Sequence, residues 1–398
     1  MWFKSRIVDK QQQVMNRKIV IYAHFAGHGN TEELRDWLIR QKIRDLVYIA
    51  FPFGDCTDTG VQLSRYQNGL LVEERRSLVR FKSPFVFSYL KDFLYGLLWG
   101  IRYGRKADWF FGGDNLLSLC GLILRRLCRI KKVCYYMIDY TPRRYVSGLL
   151  NGLYYWMDRQ ASERCNEIWV PAEETIAGRF EDGRLSPEKV RWKLVPYGTN
   201  VGQLSFPETI CSNRLVYMGG LFESKGAHRL IEIYDAVVRR CPIGSPPEMV
   251  IIGKGPLELL LRRQVEEHGL SGSVHVRGYI EDHNEVLAEL SRGGIALAPY
   301  DPEDANSFSF YADAGKLKVY IGCGLPVVAT DVPPFVKEIV RHGAGRIAGY
   351  NADDFAAQIA EVLRHYDAYR TAALALSQEY KWDTVFERAF NMQEPECR

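Results

Sequence analysis

The sequence has no cysteine spacing of the kind that holds a metal ion. Its nine cysteines include no CxxC pair and no Cys/His pattern typical of zinc sites, and several stand inside apolar segments. We therefore expect small core cysteines in a reducing compartment, without disulfides and without a metal site.

Long apolar runs and a large net charge are also absent. A membrane span needs roughly 20 apolar residues, which no stretch supplies, and residues 1–18 lack the pattern of a signal peptide. The net charge is only +4, so any basic function must come from local patches. A chain of 398 residues, 47% of them hydrophobic and 25% charged, should form two soluble globular domains.

Strand-like and helix-like segments do alternate along the chain. This order predicts the α/β class, with parallel sheets covered by helices on both faces. The first strand, residues 18–23, leads into a glycine turn that contains His24 and His28 and precedes a helix from Thr31. A dinucleotide fingerprint would need a third glycine where Glu32 stands. The turn therefore fits both a loop that approaches a ligand closely and a plain tight turn.

The segment 75–106 is basic and aromatic. It carries eight cations against one anion, Asp92, a local balance of +7 (8 − 1), and large apolar side chains lie between them. An aromatic-rich helix flanked by cations is typical of a bilayer interface, where each basic residue contributes about 1 kcal/mol near anionic lipid. We favour this interpretation over an aromatic face packed into the core, and the basic run at 125–132 supports it.

Asp139 follows the buried strand-like segment 132–138. Ligands of open α/β sheets bind at the carboxyl ends of strands, so Asp139 is a candidate general base for a hydroxyl nucleophile. Alternatively, Asp139 caps a helix that begins near Arg143, because Asp, Thr and Pro are common at helix starts. Both roles can coexist.

The helix predicted over 143–165 carries apolar residues at helical spacing. We interpret them as a core stripe, not a cofactor site; they are Val146, Leu149, Leu150, Leu153, Tyr154 and Met157.

Two domains of similar size follow from the pattern. The first spans residues 17–200 and the second 214–378, with the linker at 199–213. Residues 379–398 should form a C-terminal helix that packs back on the first domain. Two doubly wound domains that face each other would form a cleft between them.

The stretch 299–331 predicts a phosphate site. A strand ends at Pro299, a polar loop follows, and a short helix begins near Ala314, Gly315 and Lys316 before the next buried strand. A helix N-terminus presents N–H groups and a positive dipole end, to which a lysine adds a full charge. Lys316 is our candidate for binding a donor phosphate; the alternative is an ordinary surface lysine.

An ordered series of motifs then fills the C-terminal half. It consists of Gly219-Gly220 with Lys225-Gly226, Gly253-x-Gly255-Pro256, Arg277-Gly278, and Lys316 with Gly324-Leu-Pro-Val-Val. The series resembles the nucleotide-sugar-binding domain of GT-B glycosyltransferases of the bacterial group-one type, and Val195-Pro-Tyr-Gly-Thr-Asn resembles that family's linker signature. The segments YMIDYT and ADAGKLKVY are similar to the membrane-associated xanthan glucuronosyltransferase, an inverting enzyme whose base is an aspartate matching Asp139.

The resemblance implies a GT-B fold of two doubly wound Rossmann-like domains facing a central cleft. It implies that a nucleoside diphosphate sugar, with UDP as the expected nucleotide, binds to the second domain without metal or cofactor. The donor-binding residues that we expect are Gly219, Gly220, Lys225, Gly253, Gly255, Tyr279, Ser307, Lys316 and Leu317.

This sequence departs from the family pattern at two positions. Val319 stands where a ribose-binding glutamate is usual, and Gly220 occupies the position of an arginine. The paired-glutamate signature of retaining members is therefore missing, and the stereochemistry stays open.

The expected function is transfer of a sugar to a lipid-linked or polysaccharide-type acceptor in bacterial surface glycan synthesis, at the cytoplasmic face of the plasma membrane. Asp139 would be the catalytic base, with His24 and His28 as the alternatives. Two rival functions share the fold: a noncatalytic sugar-nucleotide-binding scaffold and a sugar-nucleotide epimerase.

Overall fold

The computed structural model describes residues 14–24, 29–52, 60–78, 85–200, 210–240, 246–304 and 308–391. The chain divides into two compact units. The N-terminal unit contains residues 1–196 and 385–398, and the C-terminal unit contains residues 197–384.

The N-terminal unit is built on a sheet of eight strands, β1 (Lys18–His24), β2 (Asp45–Phe51), β3 (Gln62–Gln67), β4 (Leu70–Arg76), β5 (Trp109–Gly112), β6 (Lys132–Tyr136), β7 (Glu167–Val170) and β8 (Trp192–Leu194). Their order is β4-β3-β2-β1-β5-β6-β7-β8. All neighbours pair in parallel except β2 with β3 and β3 with β4, which are antiparallel. The parallel strands therefore place their carboxyl ends on one edge of the sheet.

Among the described residues up to 196, five α-helices follow strands of this unit. They are α1 (Asn30–Arg40), α2 (Phe85–Tyr103), α3 (Asn115–Cys128), α4 (Gly148–Arg164) and α5 (Glu173–Glu181), with a short 3₁₀ turn at Pro187–Lys189. α2 and α3 pack against α/β core residues such as Tyr22, Val47 and Phe110. The alternation of strand side chains sends Phe111 and Trp169 to the opposite face.

The C-terminal unit has a six-stranded, fully parallel sheet in the order β11-β10-β9-β12-β13-β14, where the strands are β9 (Arg214–Met218), β10 (Glu248–Ile252), β11 (Val274–Gly278), β12 (Ile295–Ala298), β13 (Val327–Ala329) and β14 (Gly345–Ile347). Its helices are α6 (Leu230–Arg240), α7 (Glu258–Glu267), α8 (His283–Ser291), α9 (Phe308–Tyr311), α10 (Gly315–Gly322), α11 (Phe335–Arg341), α12 (Ala352–Arg364) and α13 (Tyr366–Ser377). Short 3₁₀ turns lie at Glu223–Lys225, Ala227–Arg229 and Gln378–Tyr380. Two buried clusters, one on each face of the sheet, make the unit doubly wound.

The last helix, α14 (Trp382–Asn391), joins the aromatic layer of the N-terminal unit. The ring of Phe390 stacks on Trp37 with 5.4 Å between ring centroids, and Phe386 lies 5.6 Å from the same indole. Phe390 also meets Trp169 edge-on at 5.3 Å. Such aromatic pairs add about 0.5–1.5 kcal/mol each beyond the area that they bury.

The structure corrects the predicted helix over 143–165 in two ways. The helix begins at Gly148, and Ser147, not Asp139, caps it by accepting a hydrogen bond from the backbone N–H of Leu150. The predicted core stripe is also wrong, because Leu149 is 85% exposed and Val146 and Leu153 are exposed as well. The buried residues of α4 are mainly polar: Asn151, Asp158, Ala161 and Ser162.

Among the described residues, no helix combines enough length with enough apolar character to span a bilayer.

The contact between α2 and α3 depends on Gly100, and we predict that Gly100→Ala destabilises the N-terminal unit. An added methyl group would lie 2.2 Å from Leu124 Cδ1 and 2.6 Å from the hydroxyl oxygen of Tyr22. Overpacking of this kind costs about 1–3 kcal/mol. The matched control is Gly152→Ala in α4, where an added Cβ would meet no neighbouring atom within 4 Å. The higher helix propensity of alanine should raise the stability by up to about 1 kcal/mol. Urea unfolding followed by circular dichroism measures both, and equal effects would contradict this packing.

Candidate functional site

The loops of the candidate donor site lie at the carboxyl ends of four neighbouring strands. Gly219 follows β9, Gly253 follows β10, Tyr279 follows β11, and Pro299 and Tyr300 follow β12. Because these strands are parallel and adjacent, their loops meet at one edge of the sheet. Residues far apart in the sequence are thereby brought together.

Glycine is required where these loops cross. Gly253 has a φ of +148°, and a Cβ there would lie 1.8 Å from the carbonyl oxygen of Gly219. Gly226 has a φ of +68°, and its Cβ would lie 1.6 Å from the carbonyl oxygen of Pro299. No other residue fits either place, so the loop that carries Lys225 is pressed against the end of β12.

This crossing brings the two predicted lysines over one aromatic ring. The Nζ atom of Lys225 lies 5.1 Å from the ring centroid of Tyr300, and the Nζ atom of Lys316 lies 4.4 Å from it. The Lys316 ammonium also lies 4.7 Å from the ring centroid of Tyr217. Cation–π contacts of this kind hold an ammonium group in place but do not neutralise it.

No carboxylate of the described residues pairs with either ammonium group. Lys225 donates a hydrogen bond to the Ser309 hydroxyl, and among the described residues neither lysine forms an ion pair. Burial and the positive charge of Lys225 lower the pKa of Lys316 to about 7. Burial also lowers the pKa of Lys225, against the pull of Asp304. The site therefore favours an anion that would restore both charges.

Helix α10 positions Lys316 through contacts that the sequence did not reveal. The Tyr320 hydroxyl donates to the carbonyl of Met218 at 3.0 Å and accepts from its N–H at 2.6 Å, which fixes the helix to the end of β9. Before the helix, Asp313 pairs with the buried Lys318 and accepts a 2.7 Å hydrogen bond from the N–H of Tyr197. The linker segment is thus tied to the helix that carries Lys316.

The other predicted donor-binding residues differ in their exposure to solvent. Tyr279 is exposed, and the Nζ atom of Lys254 lies 4.2 Å from its ring centroid. The Leu317 side chain is fully buried in the core below α10. Ser307 lies outside the described residues. The sequence analysis missed Tyr217 and Tyr300. Their position, an aromatic residue near the end of β9 and another just after β12, could have indicated them.

A second polar cluster lies at the carboxyl edge of the N-terminal sheet. His24 ends β1, and its Nε2 lies 2.6 Å from Oδ2 of Asp114, which also caps α3 by accepting from the N–H of Leu117. Burial disfavours the charged imidazole, but the Asp114 carboxylate and a hydrogen bond to the Phe51 carbonyl outweigh it and raise the pKa of His24. The raised pKa of His24 favours the protonated imidazole, which cannot accept a further proton. His28 lies outside the described residues.

Asp139 lies in the same region, three residues after β6. Its Oδ1 accepts a 3.0 Å hydrogen bond from Arg144, and its backbone carbonyl accepts one from the buried Arg179. Oδ2 has no hydrogen-bond partner among the described residues, and the side chain is 27% exposed. Arg144, which the sequence did not single out, also acts electrostatically on Asp114. It therefore links the two acids of the cluster.

Comparison with known proteins identifies the C-terminal unit. Residues 212–365 match the family described as "Glycosyl transferases group 1". This segment is a group 1 glycosyltransferase domain. It contains both lysines and all the loops that meet at the end of β9. The resemblance inferred from the sequence motifs is confirmed for this domain, while the similarity to the xanthan enzyme stays a prediction.

Individual proteins resemble this chain in part of its sequence or in its fold. Over 89 residues the chain is 34% identical to O-antigen chain mannosyltransferase C of Escherichia coli, a match that covers 22% of this chain and only 22% of that relative. HepE of Anabaena, solved in complex with UDP, has a TM-score of 0.65 at 15% identity and covers 94% of this chain and 98% of its own. A sucrose-phosphate synthase of Thermosynechococcus elongatus gives 0.64 at 15%, covering 93% and 96%. The predicted GT-B fold is confirmed.

If the two lysines bind UDP, the lowered pKa of Lys316 predicts that the affinity for UDP depends on pH. Below pH 7 Lys316 is already charged; above pH 7 it must take up a proton when it binds a diphosphate, so affinity should fall as pH rises. Between pH 7 and 9 we expect a loss of about tenfold or more. Calorimetry in buffers of different ionisation enthalpy measures the proton uptake.

The matched variant for this experiment is Lys316→Met, which should bind UDP more weakly and take up no proton. Lys254→Met, which removes a cation that contacts the Tyr279 ring and lies outside the lysine pair, should keep the pH dependence. An unchanged proton uptake in Lys316→Met would show that another group titrates.

Proposed function

We propose that this protein is a metal-independent GT-B glycosyltransferase that moves a sugar from a UDP-sugar to a lipid-linked or polysaccharide-type acceptor in bacterial surface glycan synthesis. The observation that carries the proposal is the pair of ammonium groups above Tyr300, at the edge where four strands of a group 1 domain end. Two partly buried cations that form no ion pair among the described residues match a diphosphate in charge and size.

In this mechanism Lys225 and Lys316 stabilise the leaving group. Charge develops on the diphosphate as the bond to the sugar breaks, and preorganised cations aimed at that charge lower the barrier. UDP is the expected leaving group because HepE, a structural neighbour of the whole chain, was solved with UDP bound. The family's ribose-binding glutamate is replaced by Val319, so other groups must hold the ribose.

Asp139 is the proposed base for the acceptor hydroxyl. Its Oδ2 is available to take a proton, while the Arg144 guanidinium holds Oδ1 and fixes the orientation of the carboxylate. The alternative base, His24, is already engaged by Asp114 and is favoured in its protonated form. The balance of the step is simple: the proton passes to Asp139, the acceptor oxygen bonds to the anomeric carbon, and UDP leaves with the bonding electrons.

A similar protein supports the proposed acceptor, and the basic segment of the N-terminal unit supports the proposed location. An O-antigen mannosyltransferase is among the relatives, which favours a lipid-linked glycan as acceptor. The basic, aromatic segment 75–106 would hold the protein against anionic lipid at the cytoplasmic face of the plasma membrane.

The decisive experiment uses Asp139→Asn. The amide keeps an oxygen for Arg144 but cannot accept the acceptor's proton, so acceptor-dependent release of UDP should fall by about 100- to 10,000-fold, while UDP affinity and thermal stability barely change. The matched control is Asp45→Asn, which removes a carboxylate paired with Arg65 at the amino-terminal end of β2.

Three results would count against the assignment. Near-normal turnover of Asp139→Asn would move the base to another residue. A wild-type protein that binds UDP but releases none from UDP-sugars with a lipid-linked oligosaccharide would be a scaffold. Interconversion of the donor sugar without any acceptor would indicate an epimerase.

Metal independence gives a further expected result. Because two lysines supply the countercharge for the diphosphate, excess EDTA should leave the transfer rate unchanged. A loss of activity that Mg²⁺ or Mn²⁺ restores would contradict the proposed role of the lysines.

A further inference from the structure

Helix α2 shows a partial reversal of the usual amphipathic pattern: it buries a charged pair beside Phe93, Leu97 and Trp99, which pack on the core, and it still exposes apolar side chains on its outer side. Its inward side carries Lys91 and Asp92, both buried and paired at 3.2 Å, followed by Gly96 and Gly100. Its outward side is apolar: Leu94 is 51% exposed and Leu98 63%, with Phe87, Leu90 and Ile101 also exposed. A surface helix of a soluble protein normally buries its apolar face.

Helix α4 shows the same reversal independently. Its inward side holds Asn151, which bonds the backbone around Arg144 and Tyr145, and Asp158, which bonds the Tyr135 hydroxyl and Arg179. Its outward side carries Leu149, Leu153 and Trp156, the last 57% exposed. Asn151 and Asp158 are held by these specific partners, which fixes the orientation of α4 and leaves its apolar side exposed.

The two reversed faces belong to one layer. Helix α3 packs against both α2 and α4, and its own outer side exposes Ile123 and Leu127. Three neighbouring helices therefore present apolar side chains to solvent. Single exposed leucines are ordinary, but a patch shared by three elements marks an interaction surface.

Charge decides which partner fits this surface. Residues 85–164 contain 13 lysines and arginines against 6 acidic residues. All six acidic side chains are at most 28% exposed, whereas Arg102, Arg126 and Arg143 are exposed beside the apolar residues. Exposed cations without exposed anions, around leucine and tryptophan, complement an anionic lipid surface.

We infer that the outward faces of α2 and α4 form a membrane-inserting surface on the N-terminal unit. Its partner is an anionic lipid bilayer. This inference deepens the membrane association proposed above and rests on it. It adds α4, outside the segment 75–106, as a second insertion element. The apolar side chains enter the acyl boundary while the arginines bind lipid phosphates.

The test is vesicle co-sedimentation of the full chain with liposomes of phosphatidylcholine and phosphatidylglycerol. The variant Leu149→Gln/Leu153→Gln removes apolar surface from α4 without changing charge, and both residues are exposed, so the fold should persist. Partitioning should fall by about 10-fold to 100-fold. The matched control, Leu259→Gln/Leu260→Gln, changes two leucines on α7 of the C-terminal unit, where Leu259 is 79% exposed, and should bind like the wild type.

Each outcome has a defined meaning. Weaker binding of the α4 variant, with unchanged melting temperature and UDP affinity, supports the inference. Wild-type-like binding of that variant overturns it. Absence of vesicle binding by the wild type also overturns it, and a wild-type dimer that the α4 variant dissociates would assign the surface to a second copy. Binding needs neither donor nor acceptor, so a protein that fails as a transferase but binds vesicles through α4 would refute only the proposed function.

Discussion

The position of the candidate donor site depends on a steric constraint where strand-end loops cross. Gly226 and Gly253 lie against backbone carbonyl groups at distances that no side chain allows. Because the loops can pass so closely, Lys225 reaches the ring of Tyr300, which Lys316 reaches from α10. Two like charges near each other in a buried place cost free energy unless an anion joins them. That cost favours the binding of an anion at this sheet edge, where we propose that the diphosphate binds.

The charged groups at the sheet edge of the N-terminal unit are arranged differently. There each charged group at the sheet edge already has a partner: His24 has Asp114, and Asp139 has Arg144. A paired network fixes orientations and leaves few atoms free for chemistry, which is why Oδ2 of Asp139 stands out. Among the described residues, the two lysines of the C-terminal unit therefore have no ion-pair partner, whereas the N-terminal unit holds the Asp139 carboxylate in a defined direction.

The same unit combines polar groups at inward positions with apolar side chains on its surface. Lys91, Asp92, Asn151 and Asp158 occupy inward positions on α2 and α4, while leucines of both helices are exposed on their outer sides.

The sequence alone determined the α/β class, the alternation of elements, the group-one motifs and the two lysines, because these are local patterns of period, turn chemistry and spacing. The sequence wrongly predicted a core stripe on α4. An apolar stripe at helical spacing indicates which residues share a face of the helix, but not whether that face packs on the core. The sequence analysis also missed Tyr300, Arg144 and Asp313, whose partners are distant in the chain. Only the tertiary structure decided these points, because parallel strands bring residues from separate loops to one edge, and burial, not sequence, sets the pKa of Lys316.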